Sequence, residues 1–339
     1  MSEPVVPFAK FMADALYNPE TGYYSSNIKT VGGRGDFSTS ATLHSALGSA
    51  VYGWLKQQSE TNPDVRDIIE VGPGDGSLMA TVRSSAGWLE RRKFRYHLVE
   101  SSPVLSDIQR KRLGGKVLHH ADIQSALSAA EGRAFIYSNE LVDAFPATLL
   151  QWNSSSDSWD EIWITRTEGT YREVPKPFKI EVSSSENFSA LKSWNEGSPP
   201  PDNQRVEIHF SFLDWLRSWS PMLKSGSILT IDYGDTFPNL YHRRPHGTLR
   251  AYYRHARKER EEVYQLVGRQ DITADVNFSD LITWFEDIGW KTDPMTTQRQ
   301  FIEQFGSQRL RGDDPAREHI TSRHGAGEAF KVLSAKVGN

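Results

Sequence analysis

Short apolar runs separated by helix-suited segments constrain this chain more than any other feature. Asp67 to Val71, Tyr96 to Val99, Val117 to His119, Ala134 to Tyr137 and Ile228 to Tyr233 read as buried strands, and segments such as Leu78 to Arg92 and Pro103 to Leu113 suit helices. Buried strands alternating with helices belong to a parallel, doubly wound sheet. Phe278 to Ile288 reads as an amphipathic helix, and Trp290 to Thr296 and Ala329 to Lys336 as two further strands, which brings the expected α/β sheet to seven.

The N-terminal segment places Phe8, Phe11, Met12, Ala15 and Leu16 on one helix face. From Leu149 to about Arg205 the alternation breaks. LLQW and WDEIWITR flank the polar stretch NSSSDS, and Trp159, Ile162 and Ile164 suggest a hairpin; SSSENF and GSPPPDNQ read as loop. A helix is expected from Val206 to Leu223. The expected division is therefore 1–60, an N-terminal helical cap; 61–150, the first part of the sheet domain; 151–204, an insertion over its active edge; and 205–339, the second part, with a basic insertion at about 241–275. A chain of 339 residues suits one enlarged domain of this kind.

Composition removes several chemistries. There is no cysteine, so disulfides, thiolate metal sites and a cysteine nucleophile are excluded. A formal charge of -4 gives no global attraction to nucleic acid or to an anionic membrane. No window approaches the roughly 18 to 20 apolar residues of a membrane span, and MSEPVVPFAKFMADALY has neither an h-region nor an arginine-rich presequence. A cytoplasmic protein is the expectation.

Ile68 to Leu78, IIEVGPGDGSL, carries an apolar strand into Gly72, Gly74 and Gly76 and then into a helix. Backbone N–H groups in such a turn can approach a polar or anionic ligand closely. A dinucleotide fingerprint G-x-G-x-x-G would put glycine at position 77, where Ser77 stands, and no G-x-x-x-x-G-K-[ST] loop occurs. The spacing E-x-G-x-G-x-G from Glu70 is instead that of S-adenosylmethionine enzymes of the seven-stranded class. Glu100 ends the next strand in YHLVE, followed by Ser101; a carboxylate there can accept from both hydroxyls of a ribose, or simply open a surface loop. Asp122, in HHADI after the third strand, can accept from an adenine amino group with Ile123 over the ring, or cap a helix. His119 and His120 are neighbours in a strand and point to opposite faces, which disfavours a shared metal. The fourth strand runs into YSNELVDAFP, Tyr137 to Pro146. Asn139, Glu140 and Asp143 cluster there before a proline, and a helix cap is the local reading.

FAKFMADALYNPETGYY, GDFSTS, EVGPGDG, YHLVESSPVLSDIQRKRL, NELVDAFP, LTIDYG, HGTLRAYYRH, DITADVNF, TQRQFIEQFG and FKVLSAK occur in this order. By them the chain resembles, over nearly its whole length, the MidA family of methyltransferases, which includes the mitochondrial complex I assembly factor that methylates a protein arginine. The resemblance implies a Rossmann-like class I methyltransferase sheet of seven strands, with a helical N-terminal segment and an inserted β-containing subdomain. It also implies S-adenosyl-L-methionine as cofactor and a protein arginine as acceptor. Cofactor contacts are then expected at Glu70, Gly72, Gly74, Gly76, Glu100, Ser101, Asp122, Ile123 and Asn139. The chain departs from the family at Ala41 and Thr42, where proline and an acidic residue are usual, at Leu47, a usual phenylalanine, and at Asn277, a usual aspartate. These departures concern the acceptor side.

If the resemblance holds, the acidic cluster has a purpose. A guanidinium stays protonated to a pKa above about 12 and is a poor nucleophile. A carboxylate can grip it through two bonds, bias its charge away from the attacking nitrogen and help its proton leave. Glu140 is expected in that role, with Asp143 as partner and Asn139 binding cofactor or acceptor; exchanging Glu140 and Asp143 fits nearly as well. Asp36, in the polar loop VGGRGDFSTS, is expected to fold over the cofactor; Arg34-Gly35-Asp36 matches an adhesion tripeptide by coincidence. Tyr241 to Arg260 concentrates basic residues around Tyr252 and Tyr253, and reads as a solvated helix face more readily than as an RNA surface. The alternatives are a nucleic-acid or small-molecule methyltransferase and a non-catalytic assembly factor that keeps the fold.

Overall fold

The apolar runs become strands of one sheet in the computed structural model, which describes residues 4–27, 44–179, 194, 197, 199–254, 256–307, 315–323 and 325–337. In chain order these are β1 (Asp67–Val71), β2 (Arg95–Val99), β3 (Leu118–His120), β4 (Arg133–Asn139), β5 (Ser225–Asp235), β6 (Lys291–Thr292) and β7 (Phe330–Lys336). Their spatial order is β6-β7-β5-β4-β1-β2-β3. β1 to β5 run parallel, and β7 runs antiparallel to β5 and β6. The chain steps outward from β1 to β2 and β3, then returns to lay β4 on the other side of β1. At such a reversal the loops after the two central strands part and leave a crevice. It falls between the segments that follow Val71 and Asn139.

This sheet belongs to one of two compact units, made of Ile28–Leu141, Leu216–Tyr233 and Phe285–Asn339. Its strands are apolar because helices cover them: β1 is buried at every position. Helix Ala46–Thr61 contributes Leu47, Val51, Trp54 and Leu55, and helix Ser77–Ser85 contributes Leu78, Met79 and Val82, to a core that includes Phe135, Tyr137 and Leu229. Each such side chain contributes about 1.5–3 kcal/mol by leaving water. The expected strand Trp290 to Thr296 is instead two short pieces, Lys291–Thr292 and Thr296–Thr297, both paired to β7 and parted by Pro294, which has no N–H for a ladder.

One polar line crosses this apolar sheet. Asp67 Oδ1 meets His97 Nε2 at 2.8 Å, His97 Nδ1 meets His120 Nε2 at 3.0 Å, and Arg95 Nη2 donates to Asp67 Oδ2 at 2.7 Å. Burial opposes the charge on Asp67, but bonds from His97 and Arg95 outweigh it and hold the carboxyl below its ordinary value. Stability from this group is therefore present above the unfolded-state pKa and is lost as pH falls through the depressed folded one. Asp67→Asn is expected to lower unfolding stability at neutral pH by about 1–3 kcal/mol and to flatten the acid limb of the stability curve, both read by urea titration across pH. Unchanged stability would show the line to be passive.

The other unit comprises Met1–Asn27, Val142–Trp215 and Gly234–Trp284. Here Val6–Pro7, Ser158–Thr167, Thr148–Asn153 and Arg205–Ile208 form an antiparallel sheet in that order, with Thr170–Pro177 also paired to Ser158–Thr167. Trp152 stands opposite Trp159 in the expected hairpin, and Trp159, Ile162 and Ile164 are buried. The face expected of the first helix is the buried one: Phe8, Phe11, Met12, Ala15 and Leu16. Ser183 to Phe188, read as loop, lie outside the described residues.

Two expectations fail in this unit. The helix expected from Val206 begins only at Phe210, because Arg205–Ile208 is a strand against Thr148–Gln151. Its Glu207 is 1% exposed and accepts from the Thr248 N–H and hydroxyl and the Leu249 N–H, partners that no helix pattern reveals. The basic run is not a helix face either. Arg250–Tyr253 and Ala256–Glu259 form a hairpin, with Asp271–Thr273 as third strand, and Arg250 and Arg244 both pair with Asp275.

Candidate active site

The turn after β1 is built from left-handed backbone. Gly72, Gly74 and Gly76 have φ of +65, +55 and +78°, which side chains with a Cβ adopt only under strain. A Cβ on Gly72 would lie 2.9 Å from Leu141 Cδ1, whereas one on Gly74 would meet nothing within 4 Å. The rim of the turn at Gly74 is therefore open, and its base at Gly72 is closed by the segment after β4. Asp75 fixes the exit: Oδ1 accepts from Ser77 N–H at 3.0 Å, and Oδ2 pairs with Arg112 at 2.8 Å. Glu70 lies beneath the turn, 2% exposed, accepting from the Tyr137 hydroxyl at 3.0 Å. Burial pushes its carboxyl up to about 8.

Glu100 follows β2 at the same edge. Its Oε1 accepts from Ser102 N–H at 2.8 Å and its Oε2 from Gln109 Nε2 at 3.1 Å. Burial pushes its carboxyl up to about 7 against the bonds it accepts, those from Ser102, Gln109 and Ser101. Gln109 is fully buried and also donates to the Gly74 carbonyl at 2.8 Å. One carboxamide thus ties the glycine turn to the acid on the next strand. Asp122 caps helix Ile123–Ala129, with Oδ1 accepting from Ser125 N–H at 2.7 Å; Asp122 is exposed and Ile123 is 1% exposed.

On the far side of the crevice, β4 ends at Asn139 and the next residue, Glu140, takes a left-handed φ of 52°. Its Oε1 accepts from Asn139 Nδ2 at 3.0 Å and its Oε2 from the Tyr233 hydroxyl at 3.1 Å. Asp232, fully buried at the end of β5, holds the following residue by accepting from Leu141 N–H at 3.1 Å. Asn139 Oδ1 is a buried acceptor with no donor among the described residues. Asp143 falls in the other unit, 4% exposed, its carbonyl accepting from Ala274 N–H at 3.2 Å. Asp36 lies outside the described residues. The site thus gathers the three glycines, Glu100, Asn139 and Glu140 at one sheet edge within one unit.

Gln109, Asp232 and Tyr233 were not singled out from the sequence. DYG at the end of an apolar strand was the available signal for the last two, since β5 ends at the same edge as β4. Gln109 gives no signal, being one polar residue inside a charged helix. Asn277, one of the departures, is 4% exposed and donates to Asp280 at 2.9 Å. Among the described residues no cluster of three or more His, Asp or Glu could hold a metal, and no helix is long and apolar enough to cross a membrane.

Residues 46–296 match the family of S-adenosyl-L-methionine-dependent methyltransferases. The chain is 28% identical to the protein arginine methyltransferase NDUFAF7, mitochondrial, of Xenopus laevis, across 89% of this chain and 71% of that one. It is 26% identical to the corresponding homologue of Caenorhabditis elegans, across 90% and 74%. A crystal structure from Burkholderia thailandensis bound to S-adenosyl-homocysteine superposes with a TM-score of 0.80 at 24% identity, covering 98% of this chain and 88% of that one, a likeness of fold. The curated relatives are named as mitochondrial, which overturns the cytoplasmic expectation. That expectation rested on the absence of a leader pattern and of a long apolar run, and neither property reports a compartment.

Proposed function

The chain belongs to the family of S-adenosyl-L-methionine-dependent methyltransferases, and from that premise we propose that its methyl acceptor is an arginine side chain of a partner protein. The relatives named as protein arginine methyltransferases support this reading. The observation that carries it is Glu140, a carboxylate held from both oxygens in strained backbone beside the glycine turn.

The residues present fit the cofactor. Glu100 accepts from Ser102 on Oε1 and from Gln109 on Oε2, with a further bond from the Ser101 backbone, and a carboxylate has about four lone-pair sites, so room remains for the ribose. The open rim at Gly74 admits a close approach, and Asn139 Oδ1 is an acceptor in want of a donor. Gly72, Gly74, Gly76, Glu100 and Asn139 would hold it; Glu70, Ser101, Asp122 and Ile123 complete the proposed set. When bound, S-adenosyl-L-methionine supplies a methyl group on a sulfonium for in-line displacement. Asn139 and Tyr233 hold the Glu140 carboxylate at the carboxyl edge of the sheet, where it would accept from the N–H groups of a guanidinium. Glu140 then draws positive charge away from the attacking nitrogen and receives its proton as the N–C bond forms. Asp143 and Asp36 remain proposals for the acceptor side.

The test is transfer of labelled methyl from S-adenosyl-L-methionine into a lysate, followed by hydrolysis and identification of methylarginine. Label in RNA or in no macromolecule would overturn the acceptor assignment, and absence of cofactor binding would leave a non-catalytic assembly factor.

Glu100 also predicts a pH dependence. Its carboxyl is protonated in the free protein below about 7, while two ribose hydroxyls need the carboxylate, so binding releases a proton there. Cofactor affinity is expected to fall as pH drops from 8 to 6, by up to about tenfold per pH unit, and Glu100→Gln is expected to abolish the slope. Calorimetry at several pH values reads both; a flat wild-type profile would remove Glu100 from the ribose.

A further inference from the structure

A second concavity lies in the parallel-sheet unit, away from the glycine turn. It encloses about 470 Å3, within the range of roughly 300–1,000 Å3 taken by ligand sites. Trp54, Leu229, Phe301 and Val332 form its floor, all 3% exposed or less. The β7 residues that line it, Val332, Ser334 and Lys336, stand opposite Ile231, Leu229 and Ser227 of β5. It therefore runs from mid-sheet toward the amino end of β5, whereas the site described above uses Asp232 and Tyr233 at the carboxyl end. Nothing in the methyl-transfer chemistry employs it.

Its polar lining points to one kind of ligand. Three carboxamides line it, Gln57, Gln58 and Gln304, of which Gln57 and Gln304 are exposed and Gln58 is held by accepting from the Ser227 hydroxyl at 3.0 Å. A carboxamide offers donors and an acceptor without charge, the complement of a peptide group. The ionisable lining residues, Asp293 and Lys336, lie 3.6 Å apart and cancel, so no net field selects a phosphate or a cation. The Trp54 indole N–H and the Ser334 hydroxyl, both on lining residues, are buried without a hydrogen-bond partner among the described residues, a condition rare for buried polar groups. The apolar, ring-lined floor takes an aromatic or branched side chain.

We propose that this cavity docks an extended, uncharged peptide segment of another protein, its aromatic side chain on the floor and its backbone against the exposed carboxamides of Gln57 and Gln304. The charge balance of the lining argues for a neutral segment, and the carboxamides for a backbone. The inference concerns binding alone and does not depend on which residue the enzyme methylates.

The test uses the full chain and N-acetyl-L-phenylalaninamide as probe, a ring flanked by two peptide groups. Saturation-transfer NMR is expected to show its ring protons in contact, with a dissociation constant on the order of 1 mM. Thr61→Trp and Gln304→Trp, both at exposed positions on the rim, are expected to weaken it about tenfold while S-adenosyl-L-methionine affinity stays unchanged, which also reports an intact fold. Phenethyl alcohol, with the ring but no peptide groups, is expected to bind clearly more weakly. Failure of the wild type to bind the probe, or equal binding by both rim variants, would overturn the site. Equal binding of phenethyl alcohol would overturn the peptide assignment. A dimer in sedimentation that Gln304→Trp dissociates would assign this face to a second copy instead.

Discussion

Glu140→Gln is expected to lower the methyl-transfer rate by about a hundredfold or more while leaving S-adenosyl-L-methionine affinity within about threefold. The amide keeps the shape and can still accept from the Tyr233 hydroxyl, which now donates to Glu140 Oε2 at 3.1 Å, but it can neither neutralise a guanidinium nor take its proton. The backbone strengthens the expectation. A left-handed φ of 52° at a glutamate is a conformation that glycine or asparagine would adopt at less cost, and such strain persists where the surroundings impose it and the side chain is needed. Tyr233→Phe, which removes one bond to Glu140 and touches no reacting atom, is expected to cost about fivefold in kcat, the equivalent of about 1 kcal/mol for one hydrogen bond. Initial rates on a methylarginine-forming substrate, with calorimetry for the cofactor, separate the two effects. A Glu140→Gln enzyme that keeps its rate would move the acceptor-binding role elsewhere in the site.

The second large effect concerns the cofactor. Glu100→Ala is expected to weaken S-adenosyl-L-methionine binding by about a hundredfold, through loss of two charge-assisted bonds of about 1.5 kcal/mol each. Gln109→Leu is expected to reproduce much of that loss although Gln109 itself need touch no ligand. It would free the Glu100 Oε2 and the Gly74 carbonyl together, since one Nε2 now serves both at 3.1 and 2.8 Å. Gln109→Glu keeps the length but presents acceptors to two acceptors, and is expected to be worse than leucine. Calorimetry on the three variants, with urea unfolding as a control for global damage, decides the matter. Leucine at 109 with unchanged affinity would make Gln109 a packing residue only.

What the sequence revealed and what it hid divide along physical lines. β1 and the buried face of the first helix were legible because burial on one or both faces imposes a pattern on successive residues. The glycine turn was legible because positive φ selects a residue type. Arg205–Ile208 was hidden because its four residues suit a helix start equally well, and only pairing with Thr148–Gln151 decides between them. The basic hairpin was hidden for a related reason: Arg250 is 5% exposed through a carboxylate 25 positions away, so charge did not mean solvent. Gln109 and Tyr233 act through partners on other elements, and such pairings leave no trace in local spacing.

The place of β7 has a further consequence. It is the last of the seven strands in sequence yet sits inside the sheet, between β5 and β6. During synthesis β5 must therefore wait with one edge unpaired, its Ile228, Leu229 and Ile231 bare to any passing strand, until the ribosome has released about a hundred more residues. Until β7 is made, that edge stays open to mispairing with other strands, so the order of synthesis itself exposes the middle of the sheet.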